Sequence, residues 1–432
     1  MKNLITKLRI WGLKGAVNYL LAEFRKRRLR RFFRMNAAEF PITKSQIGIT
    51  VIGNLSSKGS LNKTLRDFCF SLKDAGIPFQ TFDTGANEVP SEDIAAILTP
   101  RGEFRIRKYS DVVEMINSPL QAGIVDRISR IGFWEFESGF LEAFPTYLER
   151  GGDVIAMSDF NAEYFRRLFN AKRDVHKLLY PLRIETDGVL SKTECRRKFG
   201  FHEDDFIVFY NFSFSSGYGR KNPEAAITAF AKAFRCDLNA RLVFKTFSLR
   251  DEDDLTKQLE EKARQLGVGN RVKFISDYLT QKDVFNLTNA CDVYLSLHRS
   301  EGFGIGIAEA MSLAKAVVVT DYSSTTEFCN ADNSVPVPYR MARMECPDTP
   351  LYIAAEDWAE PDVDAAAAAL VRLRDDAEFR RSLGDAAQRS IREQFSTEKF
   401  RKSVLSFLRE NDFSLIPASP SKPAAIWYNI LQ

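Results

Sequence analysis

Two α/β units, each built on a doubly wound parallel sheet, are what the sequence predicts. Three observations predict them. Apolar strand-like runs alternate with helical patterns twice over, first across residues 41–190 and again across 200–395. The length, 432 residues, exceeds what one hydrophobic core usually covers. And Asp292–Leu297, an apolar strand, runs into a glycine-rich turn and then a helical pattern through Ala308, Ala310, Met311 and Leu313. That local order presents backbone N–H groups and a positive dipole end to a phosphate.

The elements follow in order. Residues 1–40 read as a basic amphipathic arm. Leu13, Val17, Leu20, Leu21 and Phe24 share a helical face, and a basic run from Arg25 to Arg34 follows. Residues 1–34 carry a net charge of +10 and the remainder −6, so the positive charge is concentrated here. Such an arm is attracted to an anionic membrane surface by about 1 kcal/mol per basic residue. A charge confined to one arm disfavours a broad nucleic-acid surface.

The first unit opens with strand Ile47–Gly53, a polar loop from Asn54 to Ser60 containing Gly59, and a helix through Leu65, Phe68, Cys69 and Leu72 closed by Gly76. Strands follow at Ile131–Glu137 and Asp153–Ser158, the latter capping helix Ala162–Leu168. Tyr180–Gly200 reads as the join. The second unit alternates strand Phe206–Phe212, a loop to Arg220, a helix opened by Pro223, strand Ala240–Lys245, helix Leu255–Leu266, strand Val272–Ile275, helix Lys282–Thr288, strand Val293–Leu297, the glycine turn with its helix, and strand Ala316–Thr320. Helices Val363–Leu373, Ala377–Phe395 and Lys399–Leu408 follow. Residues 396–432 are expected to hold a helix that crosses back and a loose tail.

The six cysteines are scattered without a C-x-x-C pair, which suits reduced thiols in the cytosol. The three histidines lie far apart in sequence, which disfavours a His-based metal site, and no run reaches the ~18 apolar residues that a membrane span needs.

The centre of the argument is Glu301-Gly302-Phe303-Gly304-Ile305-Gly306-Ile307-Ala308-Glu309. The glycines permit close backbone approach to a diphosphate, and a carboxylate one turn into the helix can take paired ribose hydroxyls. Arg220 and Lys221 stand just ahead of the helix opened by Pro223, where cations oppose the dipole unless an anion sits there. Asp251-Glu252-Asp253-Asp254 contains a D-x-D but precedes a helix, and reads as a solvated cap.

These residues resemble glycosyltransferase family 4, of the GT-B architecture, over roughly residues 47–410. Three ordered matches carry the resemblance: the E-x7-E segment Glu301–Glu309, Gly219-Arg220-Lys221-Asn222-Pro223, and Trp358-Ala359-Glu360-Pro361-Asp362. The resemblance implies two Rossmann-like domains facing a cleft. It also implies retaining transfer from a nucleotide-sugar donor without an obligatory metal or other cofactor. Arg220 and Lys221 would neutralise the diphosphate, and Glu301 would contact the donor sugar. Glu309 would hold the ribose, with Gly302, Phe303, Gly304, Ile305, Gly306 and Tyr278 completing the donor site. The Arg-Lys-Asn-Pro turn leans towards GDP-mannose among GDP- and UDP-sugars. On the acceptor side Gly59, Ser60, Trp134, Glu135 and Ser158 match cleft positions, while Asp321 and Glu327 are further candidates near the donor. No His stands out as a base, since His176 falls near the join. The implied role is the building of a cell-surface glycan, lipopolysaccharide included, on a glycan or lipid-linked acceptor at the cytoplasmic face of a membrane. A nucleotide-sugar epimerase and a non-catalytic sugar-nucleotide-binding subunit are the alternatives. A nicotinamide dehydrogenase is disfavoured, because Ile49–Ile52 is not followed by G-x-G-x-x-G.

Overall fold

The computed structural model describes residues 49–53, 55, 60–77, 79–83, 128–132, 153–172, 174–184, 188–247, 253–344, 356–410 and 429–431. The basic arm, Gly59, Trp134, Glu135 and most of the proline-rich tail lie outside the described residues. The chain divides into two compact units. One contains the described residues up to Arg183 and those from Phe395 onward, and the other contains Ile184–Gln394.

The first unit holds a six-stranded parallel sheet in the order Phe79–Asp83, Ile49–Gly53, Asn429–Leu431, Ile128–Gly132, Asp153–Ala156, Val175–Lys177. Helix Ser60–Asp74 buries Leu65, Phe68, Cys69 and Leu72, one apolar face at helical spacing. It ends where Gly76 takes φ +67° and Ile77 N–H donates to Leu72 O at 2.9 Å. Helix Thr397–Glu410 packs on it, with Phe400 edge-on to Phe68 at 5.6 Å.

One expectation changes here. The tail read as loose ends in a strand, Asn429–Leu431, in the middle of this sheet. Three residues are too short to show a period, and only pairing with strands remote in sequence makes them a strand. His176 is on the edge strand Val175–Lys177, shortly before the unit boundary at Arg183, and its ring packs against Phe407.

The second unit holds a six-stranded parallel sheet in the order Val335–Val337, Ala316–Thr320, Val293–Ser296, Phe206–Ser213, Ala240–Phe247, Val272–Ile275. The central strands are mostly apolar, as in Phe206–Tyr210 and Ala316–Val319, as expected of a parallel sheet covered on both faces. The edge strand Val335–Val337 escaped the sequence reading. Its Pro336 argues against a strand, and is tolerated because an edge leaves some N–H groups unpaired. The antiparallel pair Tyr339–Met344 and Glu356–Pro361 was also not foreseen.

The chain reverses its winding between Phe206–Ser213 and Val293–Ser296, which are paired at Val208–Val293 and Phe209–Tyr294. At such a switch point the loops leaving the two carboxyl ends diverge and open a crevice for a ligand. The segment read as a join also changes: helix Lys192–Phe199 belongs to this unit. It starts with a capping box between Ser191 and Glu194. Arg196 and Lys192 then pin it to Asp292 at the foot of strand Val293–Ser296.

Candidate active site

The two loops leaving the switch point carry the charged residues of interest. After Phe206–Ser213 the chain makes a single 3-10 turn, and Gly217 at φ +93° admits the short helix Tyr218–Lys221. Asn222, at φ +51°, then starts helix Pro223–Phe234. Arg220 and Lys221 therefore lie in the last turn of a short helix, not at a helix N-terminus. Cations are favoured there, so the dipole argument for a bound anion does not apply. The reason is local: Asn222 in the left-handed region breaks what reads in sequence as one continuous start.

After Val293–Ser296 the chain reaches Glu301, whose residue is 7% exposed. Its backbone N–H donates to Ser323 Oγ at 2.8 Å. Its carboxylate pairs with both cations: Oε1 accepts from Lys221 Nζ, and Oε2 lies 3.3 Å from Arg220 Nη1. Burial alone would raise the Glu301 pKa. The Lys221 and Arg220 charges outweigh it and hold the group down at about 2. Glu301 is thus an anion at any working pH. Its closest partners are the two residues that sequence reasoning assigned to the diphosphate.

His298, fully buried next to this group, goes the other way. Burial lowers its pKa to about 4, with Glu301 opposing and Lys221 and Arg220 assisting, so the ring is neutral. Its Nε2 lies 3.3 Å from Thr325 Oγ1. Among the described residues, His298 Nδ1, Ser300 Oγ and Thr320 Oγ1 have no hydrogen-bond partner. Buried polar atoms usually have a protein or water partner.

The glycine turn is shaped by its neighbours. Gly304 takes φ +95° and caps helix Ile305–Ser312; a β-carbon there would lie 2.6 Å from Thr325 Cγ2. A β-carbon on Gly306 would lie 2.4 Å from Tyr294 OH. Both glycines are therefore required by packing within the unit. Phe303 is buried against Phe328, ring centroids 5.3 Å apart. Gly302 joins Glu301 to this turn, and Ile305 opens the helix. One turn in, Glu309 is 6% exposed and accepts from Gln281 Nε2 at 3.1 Å.

Among the remaining candidates, Tyr278 is exposed, on the loop between Val272–Ile275 and helix Gln281–Ala290. Asp321 donates its N–H to Val337 O, and Glu327 accepts from Gln394 Nε2 through its backbone oxygen, so their backbones hold the sheet end and a neighbouring helix. Ser158 is a buried N-cap, taking Asn161 N–H at 3.2 Å and Asn161 Nδ2 at 2.8 Å. Ser60 is the first residue of its helix. The D-x-D segment ends in an exposed pair, Asp254 with Lys257 at 3.7 Å.

Sequence reasoning missed the brace. Ser323 and Thr325, on the 3-10 turn Ser323–Glu327, hold Glu301, His298 and Gly304 together. It also missed Arg299, whose Nη1 donates to Gly219 O at 2.6 Å and whose Nε meets Glu360 at 2.6 Å. The Trp358–Asp362 match is tied to the cation loop by that contact. An uncapped hydroxyl run such as Ser323-Ser324-Thr325-Thr326 carries no signal in sequence, because its partners are remote.

A parallel sheet with charged loops meeting at its switch point is the architecture of a nucleotide-binding enzyme domain. Residues 191–335 match the family model described as Glycosyl transferases group 1. No curated protein matches the chain. Among solved structures, HepE of Anabaena in complex with UDP and glucose is similar at TM-score 0.57 and 17% identity, over 84% of this chain and 100% of that one. Sucrose-phosphate synthase from Thermosynechococcus elongatus is similar at TM-score 0.59 and 16% identity, over 85% and 99%. WaaG, a glycosyltransferase involved in lipopolysaccharide biosynthesis, is similar at TM-score 0.53 and 15% identity, over 83% and 99%. At these identities the likeness shows the fold, which is GT-B. Residues 191–335, within the second unit, are thus similar to a glycosyltransferase group 1 domain. Among the described residues, no helix is long and apolar enough to cross a membrane.

Proposed function

We propose that the protein moves a sugar, with retention of anomeric configuration, from a nucleoside-diphosphate sugar to a glycan or lipid-linked acceptor in surface-polysaccharide synthesis. One observation carries the reading: Lys221, Arg220 and Glu301 meet at the carboxyl ends of the switch-point strands, beside a glycine-turn helix with Glu309 one turn inside. Breaking the bond between the anomeric carbon and phosphate builds charge on the leaving oxygens. A fixed cation and helix N–H donors stabilise that charge more than the ground state. Glu309 holds the ribose, and Glu301 orients the donor sugar. The complexes of HepE with UDP and with UDP-glucose support a nucleotide-sugar donor. The +10 arm supports work at an anionic membrane surface.

The test incubates the full chain with a panel of UDP- and GDP-sugars and measures nucleoside diphosphate with and without glycan acceptors. Acceptor-dependent release is expected with one base, and Glu309→Ala should lower nucleotide affinity by about tenfold or more. Product formed without acceptor as an epimerised nucleotide sugar would replace this reading.

A further inference from the structure

Two adjacent cations share one carboxylate, yet their surroundings are unlike. The Arg220 side chain is 3% exposed. Its Nε and Nη2 both donate to Ser216 O, at 3.1 and 2.7 Å, and its Nη1 donates to Ser300 O at 2.8 Å while facing Glu301. Turning the guanidinium towards a ligand would take its donors from the buried Ser300 O and the half-buried Ser216 O, which is costly. It would also unfasten the two loops that it joins. Lys221 is 15% exposed, on a flexible stem, and its ammonium sits on Glu301. A lysine ammonium is a point charge that can change partner without matching a fixed fork.

We propose that Lys221 changes partner during the reaction, from Glu301 to the diphosphate of the donor, while Arg220 stays in place as a positioning residue that holds Glu301 and its loop. This rests on the reading that the donor is a nucleoside-diphosphate sugar. Glu301 stands where the phosphate charge would be felt, so it competes with the donor for Lys221. Once Lys221 leaves, Arg220 and the Ser323 contact keep Glu301 ionised and placed, and its released Oε1 accepts a hydroxyl of the donor sugar. Arg220 thus acts on the donor through Glu301 and not by touching it.

The experiment titrates UDP and GDP into the full chain by calorimetry. Melting temperature and sugar-transfer kcat are followed for the wild type, Lys221→Ala, Arg220→Lys and Glu301→Gln. Lys221→Ala should weaken nucleotide binding by about tenfold or more, close to 1.4 kcal/mol per decade. Arg220→Lys should lower the ligand-free melting temperature and kcat, yet change nucleotide affinity by less than about threefold. Glu301→Gln should bind nucleotide more tightly than the wild type while losing turnover, a gain that a purely structural carboxylate would not produce. The exchange is overturned if Glu301→Gln binds nucleotide more weakly, or if Lys221→Ala binds it as well as the wild type. Loss of binding in Arg220→Lys equal to that in Lys221→Ala would place Arg220 on the phosphate instead. Should Arg220→Lys fail to fold, the Glu301→Gln and Lys221→Ala pair decides alone. A wild type that binds neither UDP nor GDP removes the donor reading itself, a different pattern from nucleotide binding that ignores Lys221.

Discussion

Strand Val293–Ser296 has a buried carboxylate at each end, and each is held by one arginine and one lysine. At its foot Asp292 accepts from Arg196 at 2.7 Å, from Lys192, and from Ile207 N–H at 2.8 Å. Beyond its tip Glu301 meets Arg220 and Lys221. Burial pushes both carboxyl groups up, and the neighbouring cations bring both below their ordinary values. The chemistry is the same, but the surroundings differ. Asp292 also takes a backbone N–H of the adjacent strand, and so closes the bottom of the sheet and docks helix Lys192–Phe199. The Glu301 group lies beside the buried His298 and leads into a glycine turn. Ligands of open α/β sheets bind at the carboxyl ends of the strands, so the Glu301 end, and not the clamp at the Asp292 end, is the candidate site.

The largest expected effect tests the clamp. Asp292→Asn leaves Arg196 buried without its charge partner, and denaturant unfolding should show a loss of about 3–5 kcal/mol. Nucleotide affinity at a temperature where the variant is folded should stay within about twofold. A selective loss of nucleotide binding with intact stability would erase the distinction between the two ends.

Next comes pH, which should affect the two ends differently. At the tip, His298 has its pKa lowered from 6.5 to about 4, so the unfolded chain binds a proton there that the folded chain refuses. Stability must therefore fall as pH drops through that window, by on the order of 3 kcal/mol. Glu301, lowered from 4.5 to about 2, adds a further loss between those values, in the same direction. Asp292, also lowered, adds its own loss below its ordinary 3.8. His298→Gln should flatten the stability curve between pH 6.5 and 4, a change that only the tip can supply. An unchanged slope would mean that the ring is protonated in the fold.

Gly304→Ala should cost about 1–3 kcal/mol, because alanine is strained at that positive φ and its methyl would press on Thr325. Transfer activity should fall with it, as the turn carries Glu301 into the helix. Smallest of all, Asp254→Ala removes an exposed pair and should change unfolding free energy by less than about 0.5 kcal/mol and turnover not at all. A drop in turnover would restore the D-x-D segment as a ligand site.

Much of this was legible because its causes are local. Apolar runs such as Val317-Val318-Val319, helix ends such as Pro223 and Gly76, and the strand–turn–helix at Glu301–Glu309 declare themselves within a few residues. The sites of charge were visible too, since Arg220, Lys221, Glu301 and Glu309 stand in short recognisable stretches. Their partnerships were not. Asp292 read only as the first residue of a strand, Lys192 and Arg196 as part of a join, and Ser323 and Thr325 as nothing. Each acquires its role from a group 22 to 100 positions away, through contacts such as Ser323 to Glu301 and Lys192 to Asp292.

Residue order alone was enough for the two α/β units, the glycine turn that opens a helix and the roster of charged candidates, because backbone propensity and hydrophobic period act over one or two turns of chain. The order of strands, the tail strand Asn429–Leu431 in the first sheet, and the pairing of Glu301 with both cations were settled by folding. Those depend on which surfaces remain to be buried once the local elements exist, and on the cost of leaving a charge in the interior without a partner, and neither quantity is defined until distant segments meet.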